Sequence, residues 1–110
     1  MTNIINLTPH TLNLFNEEGE ETKIESAGLA RVQVKQVVTG HVNGLPVFDE
    51  LFGEVEGLPD PQQDTVYIVS RVVATALRGT RSDVFVPGQL RRDPENQGII
   101  IGATGLAVVR

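Results

Sequence analysis

The segment that most constrains the fold is a continuous apolar run at residues 65–69, followed by a short stretch rich in alanine and valine. A β-branched run without alternation is typical of a strand buried on both faces. Ser70 then occupies the N-cap position of a short helix over residues 71–77, and Gly79 ends that helix. Residues 83–86 are strand-like again, and the intervening residues 71–82 form about the shortest crossover that joins parallel strands. Residues 65–86 therefore predict one βαβ-like unit.

The rest of the chain has the alternation and the turn residues of short antiparallel strands. Asn43-Gly44 is the strongest hairpin sequence, because both residue types tolerate the positive φ angles of a tight turn. A slip in the alternation near Gln36 indicates a bulge. The other predicted strands are residues 3–7, 11–15, 22–25, 29–38, 51–55, 98–101 and 106–109, the last two forming a terminal hairpin. We therefore expect an α+β fold in a small single domain, residues 1–110: a mostly antiparallel β-sheet with one short helix in the βαβ-like unit.

Composition narrows the setting in which such a chain works. Cysteine is absent, which excludes disulfides and thiolate chemistry and fits a reducing cytosol. No apolar run approaches the roughly 18 residues that span a bilayer, and the N-terminus lacks the basic and apolar regions of a secretory signal. We expect a cytoplasmic protein that binds no membrane and no cofactor. His10 and His41 are 31 residues apart, without the spacing of a metal site.

Charge is distributed unevenly along a chain whose net charge is −5. Residues 1–70 carry eleven acidic side chains against three basic ones, whereas residues 71–92 carry five arginines against Asp83 alone. The planar guanidinium group suits bidentate contact with phosphate or carboxylate. Because the chain as a whole is acidic, we expect no binding of DNA or RNA. Two interpretations stay open: the arginines pair with the chain's own carboxylates or solvent, or they hold a small phosphate-bearing ligand.

The predicted junction between strand and helix is the strongest candidate for a ligand site. Backbone N–H groups at a helix start favour an anion, with Ser70 as a donor and Arg71 in the first helical turn. An ordinary capped helix that binds nothing is the alternative. Tyr67 or Phe85 would offer a surface on which a base stacks. The predicted ligand-binding residues are Ser70, Arg71, Arg78, Arg81, Asp83, Arg91, His10 and Tyr67.

His10 lies in the turn Thr8-Pro9-His10 between two predicted strands. Its simplest role is to close that turn, with its ring nitrogens bonded to neighbouring backbone groups. Together with Asp83 it would instead suggest a small hydrolase, and Ser70 would complete a serine–histidine–acid set. No G-x-S-x-G motif surrounds Ser70, which argues against that set. We therefore assign no catalytic residue.

Four stretches of the chain resemble a family of small proteins found widely in phages and bacterial genomes. They are NLTPH at residues 6–10, FGEVEGLPDPQQDTVYIVS at 52–70, RSDVFVPG at 81–88 and RRDPENQGIIIGATG at 91–105. Together they cover most of the chain, and the resemblance implies a phage or prophage origin. Small phage proteins of this size are often inhibitors of host defence, including sponges that sequester nucleotide signals, and this analogy of protein class suggests the same role here.

Three functions are compatible with these observations. The first is a non-enzymatic protein that sequesters a small anionic, nucleotide-derived ligand in phage counter-defence. The second is a protein–protein inhibitor or a small phage structural component, and the third is the small hydrolase. A ligand binder should have a concave, arginine-lined pocket, whereas an interaction protein should have an exposed apolar patch. Because short strands leave edges that must be paired, we also expect a homo-oligomer, with residues 98–101 at an edge or interface.

Overall fold

The computed structural model describes residues 2–109. Its elements are β1 (Asn3–Asn6), β2 (Leu12–Phe15), β3 (Glu21–Ile24), β4 (Arg31–Val42), β5 (Leu45–Glu56), β6 (Thr65–Ile68), α1 (Arg71–Ala76), β7 (Val84–Arg92) and β8 (Ile100–Ala107). Six strands form one sheet in the order β1-β6-β7-β8-β2-β3, while β4 and β5 form a separate hairpin. The prediction of a small single domain that is mostly strand with one short helix is confirmed.

The centre of the sheet is built around the apolar run that opens the parallel unit. β6 and β7 pair in parallel, with Tyr67 opposite Val84, and α1 connects them. Ser70 caps the helix, since its hydroxyl accepts a hydrogen bond of 3.5 Å from the backbone N–H of Val73. Tyr67 packs with Val73 in one core cluster, whereas Ile68 belongs to a second cluster with residues of β2 and β8. The run is buried on both faces because each face has its own covering layer.

The prediction of a mostly antiparallel sheet is only partly right, because the six-stranded sheet mixes parallel and antiparallel pairs. Within residues 2–109, β1 pairs with β6, β6 with β7 and β2 with β8 in parallel, and the antiparallel pairs of this sheet are β7–β8 and β2–β3. Alternation along a strand shows which face is buried but does not identify the neighbouring strand. The parallel pairs β1–β6 and β2–β8 join strands that are far apart in sequence, so the local sequence pattern could not predict them.

The predicted terminal hairpin is also wrong, because residues 102–105 continue the single strand β8. A Cβ atom at Gly102 would collide with the backbone carbonyl oxygen of Asn13 on β2, so this glycine permits a close approach of two strands. β7 likewise continues through Pro87 instead of ending there. The carbonyls of Asp83 and Phe85 accept hydrogen bonds from β6. Pro87 lies beyond the last of these bonds, which is where a strand tolerates a proline.

The two ends of the curled sheet meet at Asn6. The backbone N–H of Ala27 donates to the Asn6 carbonyl at 2.8 Å. The Asn6 side chain is fully buried, and its Nδ2 donates to the carbonyls of His10 (2.7 Å) and Ile24 (3.0 Å). Its Oδ1 accepts from the backbone N–H of Thr8 (2.9 Å) and from the Thr8 hydroxyl (2.7 Å). One amide therefore ties β1 to the following turn and to the end of β3.

β4 and β5 form a two-stranded arm, residues 31–56, that projects from the sheet. Its turn is Asn43-Gly44, with φ angles of 51° and 80°, as the sequence predicts. The irregularity predicted near Gln36 is displaced: Gln36 pairs with Glu50, and the register shifts lie between Val32 and Val34 and between Val38 and Gly40. The radius of gyration is 16.7 Å. A compact chain of this length would have about 13 Å, so the arm makes the molecule elongated.

Candidate functional site

A cavity of about 400 Å³ lies at the C-terminal end of α1. Ala74, Leu77 and Val84 give it an apolar wall, and Arg78 and Arg81 line the same space. The exposed residue Ser82 adds a hydroxyl group. Val108 and Val109, which follow β8, close the remaining side. Two of the predicted arginines therefore lie together over an apolar surface.

Asp83 holds Arg81 in a fixed position. The Nε and Nη2 atoms of Arg81 donate to the two carboxylate oxygens of Asp83, both at 2.8 Å, and Nη2 also donates to the carbonyl of Pro59 at 3.0 Å. Both side chains are only 17% exposed. The hydrogen bonds from Arg81 lower the pKa of the Asp83 carboxyl, and burial opposes this shift in part. These bonds engage Nε and Nη2, so Nη1 is the Arg81 nitrogen with capacity for an added acceptor.

The Arg81–Asp83 pair predicts a specific dependence of stability on pH. Because the pKa of folded Asp83 is lowered, the pair stabilises the protein above the ordinary Asp value of about 3.9, and this contribution is lost as the pH falls from there through the lowered value. Asp83→Asn should therefore cost about 2 kcal/mol at pH 7 and progressively less towards pH 2. Urea unfolding of both proteins across this range measures the gap, and a gap that does not change with pH would contradict the assignment.

The predicted site at the helix start is separate from this cavity. Ser70 and Arg71 lie at the N-terminal end of α1, and the lining residues of the cavity begin at Ala74. The Ser70 hydroxyl is already bonded to the helix backbone, and Arg71 is exposed. The helix has six residues, too few for a substantial macrodipole. The structure thus divides the predicted residues between the two ends of the helix.

The remaining predicted contacts lie elsewhere in the fold. Arg91 stacks on Phe15, with 4.6 Å between the guanidinium carbon and the ring centroid. Tyr67 has no exposed surface, and its hydroxyl donates to the carbonyl of Asp60 at 3.4 Å. A ring buried in this way is a core side chain, so no base can stack on it in this conformation. Phe85 is partly buried and does not line the cavity.

His10 is exposed and lines an apolar groove on another part of the sheet. Its backbone carbonyl accepts from the Asn6 side chain and from the Thr8 hydroxyl at 3.1 Å, so the turn is held by main-chain atoms of His10. Asp83 directs both carboxylate oxygens to Arg81. Among residues 2–109, no hydrogen bond joins His10 to Asp83, and the hydrolase hypothesis gains no support.

Within residues 2–109, no group of three or more histidine, aspartate and glutamate side chains is placed to hold a metal ion. No helix in this part of the chain is long and apolar enough to cross a membrane.

Comparisons of the chain with protein-family models, with curated proteins and with solved structures gave no match. The resemblance to small phage proteins stays a prediction from the sequence, and the function must be argued from the site itself.

Several site residues escaped prediction from the sequence. Leu77 is the last residue of the predicted helix, but nothing local shows that it faces a cavity. Val108 and Val109 were assigned to a hairpin strand, whereas the structure places them beside the end of α1. A sequence signal did exist for the loop of residues 80–83. Arginine, serine and aspartate cluster in it, and charged loops of this kind often hold functional residues.

Proposed function

We propose that the protein sequesters a small anionic, nucleotide-derived ligand, without chemical change, in the cavity at the end of α1. The observation that carries this proposal is the convergence of Arg78 and Arg81 on one space with an apolar wall. Small-ligand sites typically enclose about 300–1,000 Å³ and combine apolar lining with a few placed polar groups. A nucleotide has both parts, because its base needs apolar contact and its phosphates need charged donors.

The charges of the lining favour an anion. Arg78 and Arg81 are the charged members of the described lining, so no carboxylate there repels a phosphate. Asp83 holds Arg81 from behind and offsets part of its charge. The C-terminal end of a helix is slightly negative, so the guanidinium groups rather than the helix must attract the ligand.

The chemistry of the lining favours binding over catalysis. A general base must lose its proton near neutral pH, and arginine does not. The Ser82 hydroxyl has no histidine or carboxylate beside it in the described lining that would activate it as a nucleophile. The proposed biological context is phage counter-defence in the cytoplasm of the host cell, and it rests on the resemblance of residues 6–10, 52–70, 81–88 and 91–105 to small phage proteins.

Calorimetric titration with cyclic dinucleotides, cyclic trinucleotides and ADP-ribose derivatives tests the proposal. We expect one of these classes to bind with an affinity that falls as salt is added, because the attraction is between charges near the surface. Chromatography of the heat-released ligand should recover it unchanged. Absence of heat with every class, or recovery of a cleaved product, would reject sequestration.

The alternative of an interaction protein is favoured by a different observation, the exposed apolar residues of the arm. This surface and the cavity are made by different residues, so both can operate in one molecule.

A further inference from the structure

The arm carries an apolar stripe on one of its faces. Directly paired residues of two antiparallel strands share a face, and Val34 pairs with Phe52 while Val38 pairs with Phe48. These four side chains are 38–54% exposed. They span about 13 Å along the strand and enclose one acidic residue, Glu50. We call these four residues the stripe.

An arm of this kind is not stable in isolation. A two-stranded hairpin is marginal in water, because it has no third strand or helix against which to bury its side chains. Both outer edges of the arm also present unpaired backbone groups. Only its base reaches the core of the described chain, where Val32 and Val55 pack. The stripe therefore needs a cover that one copy of the chain does not supply.

The accessible surface area of the chain indicates how large an interface would bury the stripe. The chain exposes 7829 Å². A compact monomer of 11.9 kDa would expose about 6,000 Å², so roughly 1,900 Å² is in excess. Obligate assemblies bury about 1,000–2,500 Å² on each partner. The excess surface area of one chain therefore falls within the range that each partner of a permanent interface buries.

The same chain carries a surface that complements the stripe. A groove of about 500 Å³ runs between β2, β7 and β8, and Leu90 and Ile100 are 62% and 51% exposed in it. Leu12, Pro87 and Ile101 complete its apolar lining. Residues 98–101 were predicted to lie at an edge or interface. Ile100 pairs with Arg92 of β7, whereas the pairing of β8 with β2 begins only at Ala103. Ile100 and Ile101 border the groove.

Charge also favours a second copy over an unrelated partner. The arm carries Asp49, Glu50 and Glu54, and its Lys35 pairs with Leu51 on the face opposite the stripe. Ile100 of the groove pairs with Arg92, an exposed residue in the arginine-rich part of the chain. The acidic residues of the arm and Arg92 beside the groove thus have opposite charges on one molecule, as a self-associating surface requires.

We propose that the stripe of the arm docks into the groove of a second copy of the same chain, so that the protein assembles by exchange of arms. The expected minimum is a closed dimer in which each copy donates one arm and receives one. This inference does not depend on the proposed ligand, since neither the stripe nor the groove includes a residue that lines the cavity.

Light scattering coupled to size exclusion, at ~100 µM chain, tests the assembly. The wild-type protein should have at least twice the mass of one chain, and Phe48→Asp with Phe52→Asp should reduce it to one chain. Leu51→Asp is the matched control, because Leu51 is 53% exposed on the opposite face of the arm and should leave the mass unchanged. Leu90→Glu in the groove should also give single chains. Circular dichroism establishes that each variant is folded.

Three results would overturn the proposal. A wild-type protein with the mass of one chain would assign the stripe to another kind of partner. A Phe48→Asp, Phe52→Asp variant that folds and keeps the wild-type mass would exclude the stripe. Loss of assembly in the stripe variant but not in Leu90→Glu would exclude the groove as the receptor.

Discussion

Replacing Asn6 with alanine is expected to lower the free energy of unfolding by about 4 kcal/mol, a large fraction of the 5–15 kcal/mol typical of a domain. The change removes four hydrogen bonds and leaves the backbone N–H of Thr8 and the carbonyls of His10 and Ile24 without the Asn6 partner in a buried region. It also removes the side-chain part of the link between the two ends of the sheet, while the backbone bond from Ala27 to Asn6 stays. Urea unfolding followed by circular dichroism measures the loss.

Asn13→Ala is the matched control for that prediction. The Asn13 amide makes one long hydrogen bond, of 3.5 Å, to the carbonyl of Ile101, and its Oδ1 is buried without a partner among the described residues. Removing an amide whose oxygen is unsatisfied should cost less than about 1 kcal/mol. Equal losses for Asn6→Ala and Asn13→Ala would mean that the network at Asn6 has no special role in closing the sheet.

Replacing Gly57 with alanine is expected to destabilise the protein by about 3 kcal/mol or more. Gly57 follows β5 at the base of the arm and has a φ of 84°, a conformation that costs alanine about 1 kcal/mol. A Cβ atom there would also collide with the backbone carbonyl oxygen of Leu29, which a backbone shift would have to relieve. Thermal and urea unfolding of the variant measure the effect.

Gly79→Ala separates these two causes. Gly79 has nearly the same φ, 81°, but no atom lies within 4 Å of an added Cβ in the described structure. We expect it to lose only the conformational cost, about 1 kcal/mol. If the two variants were equally destabilised, the crossing of backbones at the base of the arm would contribute nothing.

The parts of the fold that depend on local chemistry were predicted from the sequence. The cap at Ser70, the turn at Asn43-Gly44 and the strand at residues 65–69 each have their cause within a few residues. Strand neighbours were not predicted, because the pairing of β2 with β8 joins residues about 90 positions apart. Gly102 and Pro87 indicated turns in the sequence, and only the tertiary structure shows why a strand accepts them.

The candidate site was predicted in composition but not in arrangement. The sequence identified the arginine-rich segment, and the structure brings Arg78 and Arg81 to one cavity. It directs Arg91 onto Phe15 and leaves Arg71 at the other end of the helix. The spacing of the arginines along the chain could not show which of them line the cavity. Their positions depend on where β7 and the residues after β8 lie relative to α1.

The central claim, that guanidinium groups over the cavity bind an anionic nucleotide, is tested most directly by a pair of arginine variants on one helix segment. Arg78 lines the cavity, whereas Arg71 is exposed at the opposite end of α1, so the two substitutions remove the same charge at different places. Calorimetric titration should use the nucleotide class that binds the wild-type protein. Arg78→Ala should weaken binding by about 1.5–3 kcal/mol, roughly 10- to 150-fold, and Arg71→Ala by less than twofold. Equal weakening by both variants, or none by Arg78→Ala, would contradict the assignment of the ligand to this cavity.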